Sequence, residues 1–580
     1  MIILGISEDF FDSGITICYG DEILFMSNEE RYTRRKNEGG FPYFSLDAGL
    51  RYLGISLKEI SAVCVSGVFT PFPVFRIFPS IHKKAFESRR RREEKKIWSS
   101  LTEWAVNRSP ISYRNPSPFV KKVVSPILRK LLVSKIPDLS EEAKISFVEH
   151  HEAHAWGAFF TSGFEKALIV TADGMGDGLS LTVSVGSSNS VNRVWQVSAK
   201  NSFGIFFENL TEIMGFVPCR DEGKLTGLSA HGDAQVVKEE NPFKWDGSNI
   251  VYCGPRGRKL KLWLCNLFEK YGRENLSAWA QNILEKVICD VVKHWVSRTG
   301  INKIAVAGGV FANVLLNMRI HELPEIEELF VYPNMGDGGL SLGAICATFK
   351  FFPKPLAHAF WGDSFPEMIV LDTLCSSGLA YTKLAPNEIA PVVARAIVEG
   401  KFVGRFVGRM EWGPRALGNR SILSDCRSEE VSDKLNKMLC RSEFMPFAPA
   451  IIYEDASKFL IGYDKAEHAG EFMTTCFMTS NKLREKHKAI VHLDGTCRAQ
   501  IVKKENNPAF YDVLHEYKKL SGSGVVLNTS YNIHEEPIVR TPQEAVDTFV
   551  RAGLDFLFIE DFVVAKSMKE VQQVLSYVRF

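Results

Sequence analysis

The sequence predicts an α/β fold, because short apolar strands alternate along the chain with helical segments. Two stretches, MIILGISEDFFDSGITICYG at the N-terminus and KALIVTADGMGDGLSLTVSV from Lys166, share a pattern of strand, Asp/Gly turn and strand. Each opens a block of alternating strands and helices, which indicates a duplicated α/β domain. A length of 580 residues is too great for one hydrophobic core and predicts at least two domains.

The predicted elements continue in order after the second hairpin. KIAVAGGVFANVLLN is expected to form a buried strand, a turn at Gly308 and Gly309, and a helix beginning near Asn313. A glycine turn that leads into a helix N-terminus is a ready site for a nucleotide or an anion. LFVYPNMGDGGLSLGAICATF adds a strand, an Asp-Gly turn and a helix of small residues. The Asp/Gly turns either cradle phosphate on backbone N–H groups or are ordinary hairpins.

A stretch from Pro353 to Pro386 is rich in Pro, Gly and Ser, and we place the domain boundary there, between residues 356 and 357. The following α/β segment contains GRFVGRMEWGPRALGNRSIL, in which arginines alternate with Gly and Pro in a predicted turn. This pattern favours phosphate or carboxylate binding by Arg405, Arg409, Arg415 and Arg420. HLDGTCRAQIV and GVVLNTSYNIHEEPIV place small polar residues at strand ends, where open α/β sheets bind ligands.

The composition argues against several classes of protein. A net charge of +2 does not indicate a nucleic-acid binder, and no run approaches the roughly 18 apolar residues of a membrane span. The N-terminus has no signal-peptide pattern, and the 12 cysteines form no C-x-x-C pair, so we expect a cytoplasmic protein with reduced thiols. An insertion at about residues 80–135 contains the basic segment Lys83–Lys96, either a solvated helix or a platform for an anionic acceptor, membrane surface or partner.

Three of the 13 histidines lie within VEHHEAHAWGAFF. In a helix, His150 and His154 share one face, so their rings can point at a metal ion, a phosphate or a buried carbonyl. The protease motif H-E-x-x-H is absent, because only one residue separates Glu152 from the next histidine. A metal site would therefore need carboxylates from elsewhere in the chain.

Ten motifs, taken together and in order, resemble the carbamoyltransferase family that includes the nodulation-factor and antibiotic O-carbamoyltransferases. They are EERYTRRKN, HHEAHAWGAFF, VTADGMGDG, DEGKLTGLSAHGD, AGGVFANVLLN, NMGDGGLSLG, GPRALGNRSIL, EFMPFAPA, DGTCRAQ and LNTSYN. In plan the chain is most similar to the aminoglycoside enzymes. The resemblance implies an actin/sugar-kinase-like (ASKHA, Kae1-like) domain at 1–356 and a YrdC-like domain at 357–580. It implies that the C-terminal domain makes carbamoyl adenylate from carbamoyl phosphate and ATP, and that the N-terminal domain carbamoylates a hydroxyl of a small molecule or glycoconjugate.

The resemblance also implies roles for single residues. His150, His154 and Asp337, with Asp173 beside them, would hold a metal, and His151 would support them. Two histidines and a carboxylate suit iron(II), Fe²⁺, with zinc or manganese as alternatives, and Mg²⁺ is a further candidate beside ATP. The nucleotide site would include Lys36, Asp173, Gly308, Gly309 and Asn313. The carbamoyl phosphate site would include Arg415, Arg441, Arg498 and Asn528.

The sequence departs from the family pattern at two places. Phe11 stands where relatives carry a histidine that is a candidate base, so we expect Asp9 or Asp12 to take the proton or to bind the acceptor. Before PFAP the chain reads CRSEFM, so only Arg441 transfers from that motif. A carbohydrate kinase of the same fold class and a nucleotide-binding regulatory protein remain as alternatives. The oligomeric state is open, a homodimer included.

Overall fold

The computed structural model describes residues 1–71, 73–77, 118–441 and 447–576. The basic segment Lys83–Lys96 and residues 442–446, which include the first four residues of the motif EFMPFAPA, lie outside the described residues. The chain divides into two compact units. Unit 1 comprises Met1–Glu30 and Asn37–Leu356, and unit 2 comprises Arg31–Lys36 and Ala357–Phe580. Both units mix helices with sheets, which confirms the predicted α/β class.

Unit 1 contains the strands β1 (Ile2–Ser7), β2 (Gly14–Tyr19), β3 (Glu22–Asn28), β4 (Ile60–Ser66), β5 (Lys144–Val148), β6 (Lys166–Gly176), β7 (Leu179–Ser187), β8 (Ser190–Ser198), β9 (Phe243–Trp245), β10 (Ile250–Tyr252), β11 (Lys303–Ala307) and β12 (Glu328–Val331). In the described chain, one sheet has the order β3-β2-β1-β4-β5 and another has the order β8-β7-β6-β11-β12, while β9 pairs with β10. In both larger sheets, three antiparallel strands are followed by two parallel ones. The repeated topology confirms the predicted duplication.

The helices of unit 1 are α1 (Tyr43–Leu53), α2 (Pro73–Ile77), α3 (Pro118–Lys135), α4 (His150–Ser162), α5 (Phe203–Ile213), α6 (Glu222–Ser229), α7 (Arg258–Thr299), α8 (Val314–His321) and α9 (Leu340–Phe349). Helix α7 is interrupted at Gly272, whose φ of 77° is not helical. Apolar side chains of β1, β2 and β4 pack against α1 and α3 and form a buried core. Burying a large aliphatic side chain contributes about 1.5–3 kcal/mol, so this core holds the first sheet to its helices.

Helix α9 packs closely against both β1 and α4 because small residues line it. A Cβ on Gly343 would lie 1.9 Å from the carbonyl oxygen of Ala153, and a Cβ on Gly5 would lie 2.1 Å from that of Ser341. Any larger side chain at these two glycines would force the elements apart. The close packing brings the start of α9 next to the first turns of α4.

Unit 2 contains the strands β13 (Ala380–Lys383), β14 (Val403–Phe406), β15 (Arg420–Ser424), β16 (Ala448–Ile452), β17 (Leu460–Ile461), β18 (Phe477–Thr479), β19 (Thr496–Cys497), β20 (Gln500–Val502), β21 (Val525–Ser530), β22 (Phe556–Ile559) and β23 (Phe562–Ala565). Over the described ranges, the main sheet has the order β13-β23-β22-β14-β15-β21-β16-β20, and β17, β18 and β19 form a small one. The sheet is mixed, since β14 pairs parallel with β22 but antiparallel with β15.

The helices of unit 2 are α10 (Glu367–Ser377), α11 (Pro386–Val398), α12 (Glu430–Met438), α13 (Tyr453–Phe459), α14 (Glu467–Glu471), α15 (Asn481–Lys486), α16 (Pro508–Ser521), α17 (Pro542–Ala552) and α18 (Met568–Ser576). Apolar residues of α11 and α16 form a buried core with those of β15, β16 and β21. None of the helices described in either unit is both long enough and apolar enough to cross a bilayer.

Candidate functional site

Four side chains of unit 1 converge at the start of α4. The helix begins at His150 because the Glu149 carboxylate caps its first turn, and His154 follows one turn later. The Nε2 atoms of His150 and His154 lie 3.4 and 3.2 Å from Oδ2 of Asp173. Oδ1 of Asp337 lies 3.5 and 3.6 Å from the same two nitrogens. All four donor atoms lie within 4.8 Å of one another, and we call these four residues the metal cluster.

The metal cluster fits a divalent transition metal. Donor atoms about 2.0–2.2 Å from a common ion are separated by about 3–3.6 Å, and the four distances between a histidine nitrogen and a carboxylate oxygen of the cluster, 3.2–3.6 Å, are close to this range. Oδ1 of Asp337 is buried and has no hydrogen-bond partner among the described residues. Gly176 admits the ring of His150, since a Cβ there would lie 2.0 Å from its Cδ2 atom. Imidazole and carboxylate donors together suit iron(II), zinc or manganese.

One further side chain, that of Asp9, lies behind His150. Oδ2 of Asp9, a residue only 1 % exposed, lies 3.4 Å from Nδ1 of His150. A carboxylate behind a ligating imidazole fixes the ring orientation and makes the ligand more basic. Asp9, which the sequence suggested as an acceptor base, is therefore placed to support His150. His151 points away from the cluster, and its Nδ1 lies 2.7 Å from Oγ1 of Thr171.

The electrostatics of the metal cluster are dominated by buried carboxylates. Burial alone would lower the pKa of His150, but Asp173, Asp9 and Asp337 raise this pKa well above its ordinary value. Burial lowers the pKa of His154, and hydrogen bonding to Asp173 only partly offsets it. Burial, Asp173 and Asp9 raise the pKa of the Asp337 carboxyl well above its usual range. Crowded acids of this kind favour a cation between them.

The first turn of the chain lies close to the metal cluster. Oδ2 of Asp12 would lie 3.7 Å from a Cβ on Gly336. Gly336 directly precedes Asp337 of the metal cluster. Asp12 has a φ of 56° and accepts a hydrogen bond of 3.1 Å from Nδ2 of Asn37. Phe11 packs beside Phe10, with ring centroids 5.5 Å apart. Asp12 is half-buried, so its carboxylate remains a candidate for contact with an acceptor.

Asp177 is a functional residue that the sequence analysis missed. Its buried carboxylate accepts four backbone N–H groups, those of Val68, Phe69, Thr70 and His150, over 2.6–3.0 Å. One side chain therefore joins a loop after β4 to the first histidine of α4. The signal was the second Asp of VTADGMGDG, which has a φ of 46°, a conformation that L residues seldom adopt.

The predicted nucleotide residues separate into three groups. A Cβ on Gly309 would lie 3.2 Å from Oδ1 of Asp173, so the glycine turn lies against the metal cluster. Asn313 caps α8, and its amide pairs in both directions with that of Gln281. The side chain of Asn313 is thus used by this pair and by the cap, and its contact with a nucleotide stays a prediction. Lys36 belongs to the segment grouped with unit 2.

In unit 2, the turn Gly413–Leu417 between β14 and β15 carries Arg415. Oε1 of Glu411, which is 1 % exposed, accepts the backbone N–H groups of Leu417, Asn419 and Arg420 at 2.9, 2.9 and 3.0 Å. Three charge-assisted hydrogen bonds to one oxygen fix the path of the chain just after Arg415.

Arg415 and Arg498 are adjacent, half-buried cations. Burial lowers the pKa of Arg415 to about 9, and the charge of Arg498 contributes in the same direction. Burial also lowers the pKa of Arg498. Within the described part of the chain, the buried Nε atom of each has no hydrogen-bond partner. Among the described residues no carboxylate forms an ion pair with either guanidinium group, and such a pair of cations is suited to an anion, which would reduce their repulsion.

We call Arg415, Arg441, Arg498 and Asn528 the anion site, and Asn528 lies against the turn that carries Arg415. Nδ2 of Asn528 donates to Oε1 of Gln500 at 2.8 Å and to the carbonyl of Ala416 at 3.4 Å. Its buried Oδ1 therefore remains as an acceptor, with no partner among the described residues. Arg441 donates at 3.1 Å to Oγ1 of Thr529, the residue that follows Asn528.

The other three arginines of the motif contact main-chain carbonyls. Arg405 and Arg420 lie in strands rather than in the turn, and both are buried. Each donates to a backbone carbonyl, namely Arg405 to Gly418, Arg409 to Gly362 and Arg420 to Gly408. The prediction that all four bind phosphate or carboxylate from a turn is wrong for Arg405 and Arg420, because both lie buried in strands against main-chain carbonyls, and it stays a prediction for the half-buried Arg409.

Comparisons with known proteins match nearly the whole chain. A family model described as carbamoyltransferase N-terminus matches residues 2–346, and one described as carbamoyltransferase C-terminus matches residues 394–566. An uncharacterised protein of Methanocaldococcus jannaschii is 31% identical over 97% of this chain and 100% of its own length. Nodulation protein NolNO of Sinorhizobium fredii is 29% identical over 97% of this chain and 80% of its own length. Nodulation protein NolO of Bradyrhizobium diazoefficiens is 31% identical over 73% of this chain and 80% of its own length.

Among solved structures, full-length HypF in its phosphate- and nucleotide-bound form aligns with 60% of this chain and 55% of its own. The identity is 15% and the TM-score is 0.35.

Proposed function

This chain belongs to the carbamoyltransferase family, and from that premise we propose that it is an ATP-dependent O-carbamoyltransferase. Unit 2 makes carbamoyl adenylate from carbamoyl phosphate and ATP, and unit 1 transfers the carbamoyl group to a hydroxyl of a small natural product or glycoconjugate. The observation that carries the proposal is the pair of half-buried arginines Arg415 and Arg498, whose Nε atoms are buried, beside the buried Oδ1 atom of Asn528.

The anion site is suited to both groups of carbamoyl phosphate, the phosphate and the carbamoyl group. The forked guanidinium of Arg415 binds phosphate through two parallel hydrogen bonds, which lysine could not reproduce. Oδ1 of Asn528 accepts a hydrogen bond from the carbamoyl NH₂, a donor that acetyl phosphate lacks. In the balanced reaction, water releases carbamate and phosphate, a carbamate oxygen bonds to the α-phosphorus of ATP, and pyrophosphate leaves.

In unit 1, we propose that the metal cluster holds a divalent ion, with iron(II) preferred and zinc or manganese as alternatives. When bound, the ion supplies positive charge that stabilises phosphate oxygens. The protein's own residues do the rest. Asp9 keeps the imidazole of His150 in its ligating orientation, and Asp177 holds the backbone of the same residue. Asp12 either accepts the proton of the acceptor hydroxyl or binds an amino group of the acceptor.

Two finer assignments of fold accompany the function. The repeated strand order of unit 1 supports its placement in the actin and sugar-kinase class, a class of duplicated α/β domains. The mixed sheet of unit 2, with Asn528 inside β21 and Arg498 just after β19, supports the YrdC-like assignment.

The test is an assay for nucleotide products with the purified full chain. We expect AMP and pyrophosphate to appear from ATP only when carbamoyl phosphate is present, and acetyl phosphate to serve as the inactive control. Formation of ADP with a sugar would instead identify a kinase. Absence of any turnover across a panel of divalent metals and hydroxyl acceptors would contradict the proposal. Labelled carbamoyl phosphate then identifies the acceptor from the same panel.

A further inference from the structure

Residues 31–36 belong by their contacts to unit 2, although the sequence on both sides of them belongs to unit 1. The segment is short, and its two ends are close together. The backbone N–H of Asn37 donates to Oε2 of Glu30 at 2.8 Å, which closes the base of the excursion. Arg34 and Asn37 both have a φ of 57°, so the chain turns sharply within and after the segment.

Arg34 and Tyr32 attach this segment to unit 2. The Nη1 and Nη2 atoms of Arg34 donate to the carbonyls of Ile538 and Pro537, each at 2.7 Å. Tyr32 donates from Oη to Oδ1 of Asp363 at 3.1 Å. A fork that spans two consecutive carbonyls has one geometry, so the segment is held in a single register.

Arg31 reaches the turn of the anion site. Its side chain is 3 % exposed, and Nη2 donates to the carbonyl of Gly413 at 2.7 Å. Gly413 has a φ of 102° and precedes Arg415 by two residues. The later part of the turn is held from within unit 2's own sequence, by Glu411 on its N–H groups and by Asn528 on the carbonyl of Ala416. The entry to the turn is held by a residue nearly four hundred positions upstream.

We infer that Arg31 is a positioning residue for Arg415, so that the motif EERYTRRKN contributes to the anion site of unit 2 as well as to unit 1. Arg415 lies beside Arg498, and the repulsion between the two cations tends to displace the turn when no anion is bound. The bond from Arg31 to Gly413 opposes that displacement and holds Arg415 ready for a phosphate. Pre-organisation of this kind raises the affinity for the anion, because a loose turn would have to be ordered when the ligand binds.

The inference rests on the proposed function, and calorimetric binding of inorganic phosphate and of carbamoyl phosphate to the full chain tests both. We expect Arg31→Ala to weaken binding of both anions about tenfold or more and to raise KM for carbamoyl phosphate. Arg31→Lys, which keeps one donor, should restore part of the affinity. Transfer from supplied carbamoyl adenylate and metal content should be unchanged in both variants, which a general loss of structure would not allow.

Arg427→Ala is the matched control, because Arg427 also donates to a carbonyl in unit 2, that of Val398, but does not contact the turn. It should bind phosphate within about twofold of the wild type. Wild-type affinity in Arg31→Ala would overturn the role of Arg31 and leave the proposed function intact. If Arg31→Ala does not fold, Arg31→Lys decides the question. The role of Arg31 is then overturned if Arg31→Lys has the wild-type KM for carbamoyl phosphate and the wild-type affinity for phosphate. Absence of phosphate binding by the wild type would instead overturn the anion site, and with it both proposals.

Discussion

Nδ1 of His150 lies 3.4 Å from Oδ2 of Asp9, on the opposite side of the ring from the Nε2 atom that faces Asp173 and Asp337. When a metal occupies the Nε2 side, a proton on Nδ1 would face this carboxylate, which favours the ligating tautomer. Asp9 comes from the end of the first strand and His150 from a helix over a hundred residues later. The metal cluster is thus supported by a residue that the spacing of the histidines does not reveal.

Replacement of that carboxylate should weaken metal binding without removing a ligand. We expect Asp9→Asn to lower the metal affinity about 10- to 100-fold, because the amide no longer orients the ring or raises its basicity. Metal analysis after dialysis against graded chelator measures this change. Asp47→Asn, at an exposed residue of α1, serves as the control and should bind metal like the wild type. Equal affinities in Asp9→Asn and the control would show that Asp9 has no influence on the ligand.

Loss of a ligand should have a larger effect, confined to unit 1. His154→Ala should abolish bound metal and carbamoyl transfer, whereas carbamoyl adenylate should still form from ATP and carbamoyl phosphate. His151→Gln is a matched variant on the same helix and should keep the metal, since His151 contacts Thr171 instead of the cluster. Elemental analysis and the two half-reactions provide the measurements. A full complement of metal in His154→Ala would remove the assignment.

The anion site should be needed for the other half-reaction. Arg498→Ala and Asn528→Ala should each reduce adenylate formation about 100-fold or more. The first removes a positive charge that binds the phosphate, and the second removes the acceptor for the carbamoyl NH₂. Transfer from supplied carbamoyl adenylate should survive in both. Arg409→Lys is a useful comparison, since Arg409 contacts backbone carbonyls and should affect neither half-reaction strongly. Parallel loss of both half-reactions would argue against two separate sites.

Asp12 and Phe11 should reveal how the acceptor loses its proton. If Asp12 is the base, Asp12→Asn should lower kcat by about two orders of magnitude with little change in acceptor KM. If it binds an amino group of the acceptor, KM should rise while kcat holds. Faster turnover in Phe11→His would indicate that the native site lacks an optimal base, and an unchanged or lower rate would indicate that Phe11 packs against the acceptor. Wild-type kcat and KM in Asp12→Asn would dismiss both roles of Asp12.

Glu222 should make the stability of unit 1 depend on pH. Burial, reinforced by Glu208 and Asp221, raises the pKa of Glu222 from 4.5 to about 7. The folded chain therefore keeps a proton that the unfolded chain releases, so the free energy of unfolding falls as pH rises between about 4.5 and 7. Glu222→Gln should make the decline between pH 5 and pH 8 smaller in urea denaturation. Glu240→Gln, at a side chain 92% exposed, should show the wild-type decline, and an identical slope in Glu222→Gln would contradict the assigned pKa.

Local patterns in the sequence determined the hairpins, the duplication and the helix at His150. A strand or helix repeats over two to four residues, so the spacing of apolar side chains fixes which residues share a face. The same periodicity places His150 and His154 one turn apart, and the glycine turn and the cap at Asn313 follow from local turn and capping chemistry. Local patterns do not predict the partner of a side chain that contacts a distant segment of the chain.

Only the tertiary structure decided which buried polar groups meet. It places Asp9 behind His150, joins Asp177 to four backbone N–H groups, and brings Arg31 to the carbonyl of Gly413. It also directs Arg405 and Arg420 to main-chain carbonyls, although they belong to the same glycine-rich motif as Arg415. A buried donor or acceptor must find a partner to offset its lost hydration, and that partner is supplied by whichever segment packs there, often hundreds of residues away. Residue type therefore predicts that an arginine will bind oxygen, but packing decides whether that oxygen belongs to the backbone or to a ligand.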